Sequence, residues 1–289
     1  MSSKVLSGLT VRDQVLADLT ERVERTGRRP GLAVILVGDD PASAVYVRSK
    51  GQACEKVGFR HATHVLPADT SEAEVLALVA KLNAAADIHG ILVQIPLPRH
   101  MDEGRVQRAV APAKDVDGFH PENLGRLTAG EPACVPCTPL GVQVMLEHYG
   151  VPVSGREVAV VGRSVIVGRP LAMLLSLKGA DATVTLCHSR TRDLPAVTRR
   201  ADIVVAALGV PGLLTREHVA EGAVVVDVGI NRVDDASAKK GYRIVGDVAP
   251  EACDGWASAY TPVPGGVGPM TIAMLLRNTW DAMIRQEGA

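Results

Sequence analysis

The chain has 289 residues, with 31 Lys+Arg against 32 Asp+Glu, so its formal net charge is −1; hydrophobic residues make up 47 % and aromatics only 3 %. The charge balance excludes a nucleic-acid-coating protein and a highly charged disordered chain, the scarcity of rings excludes a base-stacking platform, and the apolar fraction excludes intrinsic disorder. At about 100–200 residues per domain, the length suggests two domains, each able to bury its own core.

In chain order, the first ten residues hold one Lys and no apolar segment, so no secretory signal is expected. Val11, Val15, Leu19 and Val23 recur every four residues and predict an opening helix. Residues 32–37 (LAVILV) form a continuous apolar run, expected as a strand buried on both faces and therefore parallel. A turn at 38–41 leads into a helix over 43–57 that ends at Gly58. A short strand at 65–66, a helix over 72–86 and a strand over 90–95 follow. His61 and His64 make an H-x-x-H without a metalloprotease glutamate and are expected on a surface face. Strand alternating with helix is the α/β pattern.

Residues 111–139 are rich in Gly and Pro and break that rhythm, as a linker or a loop shaping a cleft would. Within them Cys134 and Cys137 form a C-x-x-C with no second pair, so structural thiols are expected there and no metal site. Five cysteines in a chain of this length fit a reducing cytosol. A helix over 139–149 opens the second half, followed by strands at 157–161, 183–187, 203–206 and 224–228, a helix over 168–177 and a last helix over 269–286. This half reads as a doubly wound nucleotide-binding domain. Residues 255–276 are uncharged and long enough to cross a bilayer. Pro262, Pro264 and Pro269 with Gly265, Gly266 and Gly268 make them a loop entering a helix instead, so no membrane partner is expected.

Strand 157–161 runs into Gly162-Arg163-Ser164, a tight turn before a helix, where free N–H groups and the helix dipole favour a phosphate. Against the fingerprint G-x-G-x-x-G, Ser164 replaces the second glycine and Gly168 comes one residue late, so a plain strand-turn-helix without ligand stays open. An NAD site carries an acid at the end of the next strand for the ribose 2′-OH; here the sequence is His188-Ser189-Arg190-Thr191. Hydroxyls and a guanidinium suit a 2′-phosphate, so NADP is preferred to NAD, with Arg163 able to contribute; the alternative is that Arg190 is a solvated charge.

In the first half Ser43, Tyr46 and Lys50 stand three and four residues apart and share one helix face. Such a lysine is a base only if burial or a nearby cation lowers its pKa; the alternative is an exposed helix with a salt-bridging lysine. Gln94, inside an apolar strand, needs partners and is either a structural bond or a site residue. Asp115 and Asp117 are acids in the Gly/Pro-rich segment. Each could accept two N–H donors of an amidine-like heterocycle, such as a 2-aminopyrimidinone, or cap a turn.

Longer segments carry a resemblance. Residues 37–43 (VGDDPAS) with 46–50 (YVRSK), 90–98 (GILVQIPLP), 114–119 (KDVDGF), 136–139 (PCTP), 160–170 (VVGRSVIVGRP) and 261–271 (TPVPGGVGPMT) resemble the bifunctional methylenetetrahydrofolate dehydrogenase/methenyltetrahydrofolate cyclohydrolase family. Asn83 is followed by Ala84-Ala85 where that family often has Asn-x-Asp. The resemblance implies a discontinuous α/β folate-binding catalytic domain, 1–140 completed by the helix 270–289, and a Rossmann-like NADP-binding domain, 141–269, with a cleft between them. It implies NADP-dependent oxidation of 5,10-methylenetetrahydrofolate and then hydrolysis to 10-formyltetrahydrofolate, in the one-carbon supply for purine biosynthesis.

By the same resemblance, Lys50 is the central cyclohydrolase group, Gln94 holds it, Tyr46 stacks on or orients the folate, and Asp117 binds the pterin N–H edge. Ser43 and the backbone of Pro264-Gly265-Gly266 also meet the folate. Gly162, Arg163, Ser164, Ser189, Arg190 and Ile230 hold NADP. A cytoplasmic homodimer, with no metal and no nucleic-acid partner, completes the expectation. Two rivals stand beside it: a monofunctional NADP-dependent dehydrogenase of another small substrate, which the joint presence of Tyr46, Lys50, Gln94 and Asp117 disfavours, and a non-catalytic dinucleotide-binding regulator.

Overall fold

The structure, a computed structural model, describes residues 2–288. The chain divides into two compact units: Asp13–Cys137 with the segment from Ile272 onward, and Thr138–Thr271 with the N-terminal residues through Arg12.

The 13–137 unit is built on three parallel strands in the order Arg60–Leu66, Gly31–Val37, Gly90–Val93. All seven residues of the central strand are buried, as a parallel strand covered on both faces requires. Ala33, Ile35 and Val37 point to one face and pack with Val75, Val79 and Leu82 of the helix Glu72–Ala84. That helix starts at a reciprocal Ser71/Glu74 capping box. The helix Pro41–Val57 starts at Asp40, whose carboxylate accepts the Ser43 N–H at 2.7 Å, and stops at Gly58 in the left-handed conformation, φ 79°. The last helix, Gly268–Glu287, sends Trp280 onto Phe59 with centroids 6.4 Å apart. Its Gln286 Nε2 donates to the carbonyls of His89 and Ala113.

Two readings of this unit need correction. The strand expected at 65–66 spans Arg60–Leu66. It is an edge strand, where polar side chains stay in solvent, so its RHATHVL lacks the apolar run of a central strand. Of its histidines, His61 is exposed, but His64 is half-buried and its Nε2 is enclosed without a hydrogen bond. The Gly/Pro-rich segment is not all loop. Pro112–Lys114 forms a 3₁₀ turn and Pro121–Thr128 a helix, with Pro121 in its first turn and His120 Nδ1 accepting the Glu122 N–H at 3.1 Å.

The 138–271 unit holds six parallel strands in the order Lys4–Val5, Ala259–Tyr260, Val224–Asp227, Ile203–Ala206, Glu157–Val161, Thr183–Cys187. From Glu157 the chain adds Thr183–Cys187 on one side and then Ile203–Ala206 on the other, so the order reverses between Glu157–Val161 and Ile203–Ala206. Open α/β sheets take ligands at that point, beyond the carboxyl ends of the strands. Two elements escape pattern reading. The two-residue strand Lys4–Val5 pairs with Ala259–Tyr260, which is why residues through Arg12 group here and not with the first half. Asn231–Asp234 and Tyr242–Val245 form an antiparallel hairpin too short and too charged to give a run of alternation.

All five cysteines are free and buried. Among the described residues no helix is long and apolar enough to cross a membrane, and no His/Cys/Asp/Glu group is arranged to hold a metal ion.

Candidate active site and dinucleotide crevice

The helix Pro41–Val57 buries Ser43, Val47, Lys50, Cys54 and Val57, one stripe at helical spacing. Lys50 therefore points inward, only 8 % exposed, and its Nζ donates to Gln94 Oε1 at 2.9 Å. Gln94 lies just past the strand Gly90–Val93; its Nε2 donates to the Ile95 carbonyl at 2.7 Å, which leaves the amide oxygen for the ammonium. Burial pulls the Lys50 pKa down, while the charge of Asp117 opposes that. The solvated-lysine alternative is thus removed. Tyr46, one turn before Lys50, borders the stripe and is 51 % exposed. Ser43 is buried, with its N–H committed to Asp40.

The two acids of the KDVDGF segment divide their tasks. Asp115 is the turn acid: it accepts the N–H groups of Gly118 and His120 at 3.1 and 2.8 Å and Asn123 Nδ2 at 2.9 Å. Asp117 has no such backbone donors among the described residues. Burial pushes its pKa up to about 6 against the opposing pull of Lys50, Asp115 adds repulsion, and a hydrogen bond from the Cys137 thiol partly offsets both. The Cys137 thiol is fully enclosed, its single S–H shared between Asp117 and the Val116 carbonyl, 3.4 Å from the sulfur, and it is held neutral by burial and the Asp117 charge. It is a hydrogen-bond donor here, not a thiolate nucleophile. Asn278, on the last helix, ties the segments together: its Nδ2 donates to the carbonyls of Val116 and Val135, each at 2.9 Å. Cys137 and Asn278 were missed from sequence. The only hint of Asn278 was an amide on an otherwise apolar helix face.

In the other unit, the strand Glu157–Val161 ends at Gly162, φ 127°. A Cβ on Gly162 would lie 2.0 Å from the Ala207 carbonyl oxygen, and one on Gly168 would lie 1.9 Å from the Gly162 carbonyl oxygen. Gly168, although late in the fingerprint, thus has the close-packing role of the third glycine. Ser164 stands where the second glycine would be and its Oγ accepts the N–H groups of Val167 and Gly168 at 3.1 and 3.4 Å, closing the turn before the helix Gly168–Ser176. Residues 163–166 remain exposed on the outer side of the turn.

Past the neighbouring strand, His188 N–H bonds Thr191 Oγ1 and Arg190 N–H bonds His188 Nδ1, folding residues 188–191 into a turn that leaves Ser189 and Arg190 exposed. Arg163 and Arg190 make no ion pair among the described residues, and no acid stands in either turn. The glycine cradle and the unpaired cations suit a dinucleotide with a 2′-phosphate. Ile230, after the strand Val224–Asp227, is 52 % exposed. Pro264, Gly265 and Gly266 belong to this unit, not to that of Lys50. Gly265 has φ 105° and its carbonyl accepts the Gly8 N–H at 2.9 Å; a Cβ on Gly266 would meet the Pro262 carbonyl oxygen at 2.6 Å, so this loop presents bare backbone.

Comparison with known proteins agrees with both units. The description "tetrahydrofolate dehydrogenase/cyclohydrolase, catalytic domain" matches residues 6–117, and "tetrahydrofolate dehydrogenase/cyclohydrolase, NAD(P)-binding domain" matches residues 136–287. The chain is 52 % identical to bifunctional protein FolD 2 of Geobacter metallireducens, over 97 % of this chain and 96 % of that one. It is 53 % identical to bifunctional protein FolD of Moorella thermoacetica, over 99 % and 100 %. Among solved structures it is similar to the methylenetetrahydrofolate dehydrogenase-cyclohydrolase (FolD) of Trypanosoma brucei, complexed with NADP cofactor and inhibitor. That match has TM-score 0.93 and 41 % identity and covers 100 % of both chains. The bifunctional FolD enzyme of Campylobacter jejuni matches with TM-score 0.92 and 44 % identity, over 98 % of this chain and 99 % of that one. With a buried lysine held by an amide beside a raised aspartate in one unit and a glycine-cradled crevice in the other, the chain belongs to the tetrahydrofolate dehydrogenase/cyclohydrolase family.

Proposed function

We propose that this protein oxidises 5,10-methylenetetrahydrofolate to the 5,10-methenyl form with NADP+ and then hydrolyses that product to 10-formyltetrahydrofolate, with Lys50 as the group that moves protons in the second step. The observation that carries the reading is the buried Lys50 ammonium, bonded to Gln94 at 2.9 Å and electrostatically coupled to Asp117.

When bound, NADP+ supplies an acceptor for the hydride that leaves the methylene carbon. The chain's part in that step is positioning, which can account for much of a rate enhancement. Gly162 and Gly168 let the backbone approach the dinucleotide, Arg163, Ser189 and Arg190 meet its 2′-phosphate side, and Ser164 and Ile230 bound the same crevice. In the hydrolysis, water oxygen bonds to the methenyl carbon and one of its protons departs; the C–N5 bond then breaks as N5 takes a proton, and the remaining hydroxyl proton leaves to solvent as the formyl C=O forms, so one proton is released overall. Burial already lowers the Lys50 pKa, and a cationic methenyl substrate lowers it further, so the neutral amine takes the proton from water and returns it to N5. Gln94 holds the amine in reach, and the ionised Asp117 accepts N–H donors from the pterin edge. The exposed Tyr46 ring stacks on the folate, and Pro264-Gly265-Gly266 offers it backbone contact. Ser43 serves chiefly at the helix start.

The protein acts as a cytoplasmic homodimer. The outer edge of Arg60–Leu66, unpaired among the described residues, supports association. The test of the reading is an absorbance assay with purified protein: reduction of NADP+ with methylenetetrahydrofolate, and cofactor-free hydrolysis of methenyltetrahydrofolate. Absence of both overturns it.

A further inference from the structure

The crevice between Glu157–Val161 and Ile203–Ala206 is walled on one side by the segment that follows Ile203–Ala206, and that segment hangs on a single buried carboxylate. Asp247 Oδ2 accepts the N–H groups of Leu208 and Gly209 at 2.6 and 3.0 Å; its Oδ1 accepts the Val210 N–H at 2.9 Å and Asn231 Nδ2 at 2.8 Å. The side chain is fully buried. A charge so placed is tolerated only while its donors are in position, so carboxylate and loop fix one another.

Asp247 is anchored from below by a second acid. Its own N–H donates to Asp227 Oδ1 at 3.0 Å, an oxygen that also accepts the Gly229 N–H at 2.9 Å, while Asp227 Oδ2 accepts the Val248 N–H at 2.9 Å. The two acids leave no room for other side chains at their neighbours. A Cβ on Gly229 would lie 2.4 Å from the Asp247 carboxyl, and one on Gly246 would lie 1.9 Å from Asp227 Oδ2. Residues 208–210, 229–231 and 246–248 are thereby joined at the carboxyl ends of Ile203–Ala206 and Val224–Asp227. None of the roles set out above uses either acid.

We propose that Asp247 is a positioning residue for the dinucleotide cofactor: through the N–H groups of 208–210 and through Asn231, next to Ile230, it sets the shape of the loops that receive the cofactor. Asp247 touches neither cofactor nor substrate; it acts through these loops. The inference rests on the proposed function for the identity of the cofactor.

The test compares the full-length protein with Asp247→Asn, which keeps the shape. In either orientation its amide NH2 faces two of the four donors and leaves them unpaired. NADP+ is titrated by calorimetry, KM for NADP+ is measured in the dehydrogenase assay, and methenyltetrahydrofolate hydrolysis is followed without cofactor. The expected result is a rise of about tenfold or more in both Kd and KM for NADP+, with cofactor-free hydrolysis within about twofold of the parent. Unchanged NADP+ affinity, or a parallel loss of both activities, overturns the proposal, the second because it marks a merely structural acid. If Asp247→Asn does not fold, Asn231→Ala removes a single donor; a rise of about threefold in the calorimetric Kd sustains the proposal and no rise overturns it. A parent protein that binds NADP+ but turns over no folate defeats the proposed function instead and leaves the calorimetric comparison intact.

Discussion

Gln94→Ala tests the chemistry assigned to Lys50 most sharply. Gln94 Oε1 is the hydrogen-bond acceptor on Lys50 Nζ among the described residues, at 2.9 Å, and the lysine is only 8 % exposed. A hydrogen bond to a charged group is worth about 1.5–3 kcal/mol, and a protonation equilibrium shifts tenfold per about 1.4 kcal/mol. Water entering the vacated space returns part of that, so the ammonium becomes about tenfold easier to deprotonate. In the pH–rate profile of cofactor-free methenyltetrahydrofolate hydrolysis, the limb that reports Lys50 moves toward lower pH by about one unit. The maximal rate falls as well, because the amine is no longer held. Gln94→Glu places a carboxylate against the ammonium and moves the same limb toward higher pH. A Gln94→Ala profile that stays where it was, or two variants that move it in the same direction, refutes the assignment of that limb to Lys50.

Four further outcomes are expected. Lys50→Met abolishes hydrolysis of methenyltetrahydrofolate while changing folate affinity little, as separate binding and rate measurements read; undiminished hydrolysis removes Lys50 from its role. The Asp117 carboxyl, with its pKa raised to about 6, is ionised above that pH and protonated below it. The KM for folate therefore rises as pH falls through about 6, and Asp117→Asn gives a high KM independent of pH. Gly168→Ala adds a Cβ 1.9 Å from the Gly162 carbonyl oxygen. Although alanine gains about 1 kcal/mol over glycine in a helix, that clash makes the variant less stable by about 1–3 kcal/mol in denaturant titration, and a gain in stability contradicts the close packing. Arg190→Ala raises KM for NADP+ by about tenfold without changing that for NAD+; equal values for parent and variant return Arg190 to the solvent.

Much of the architecture was legible because parallel strands buried on both faces leave unbroken apolar runs. Gly31–Val37 and Glu157–Val161 read as strands from their apolar runs, and both are interior in their sheets. Only two residues of Arg60–Leu66 carry an apolar run, because an edge strand keeps polar side chains in water. Lys4–Val5 was invisible for another reason: its partners lie some 250 positions away, and two residues hold no period. The helix Pro121–Thr128 was hidden by prolines and glycines that read as breakers, although Pro121 occupies the first turn, where it is tolerated.

At the site, residue spacing placed Ser43, Tyr46 and Lys50 on one helix but could not say which of them is buried; that depends on the sheet beneath. Residue type and spacing alone do not separate Asp115 from Asp117, since each stands in a turn; only the family resemblance singles out Asp117. The three donors converging on Asp115 mark it as the capping acid. Cys137 and Asn278 join the site through contacts between distant segments, and Asp247 is defined wholly by the backbone N–H groups and the one amide that it gathers. Such roles belong to three-dimensional convergence and leave no spacing in the chain.

The central claim, one chain performing both an NADP-linked oxidation and a Lys50-dependent hydrolysis, is tested most directly by following methenyltetrahydrofolate absorbance in parent and Lys50→Met proteins, with and without NADP+. The parent should consume methenyltetrahydrofolate without cofactor, and from methylenetetrahydrofolate should reduce NADP+ with little accumulation of the methenyl species. Lys50→Met should leave methenyltetrahydrofolate unconsumed. Cofactor-free consumption that proceeds equally well in Lys50→Met contradicts the claim.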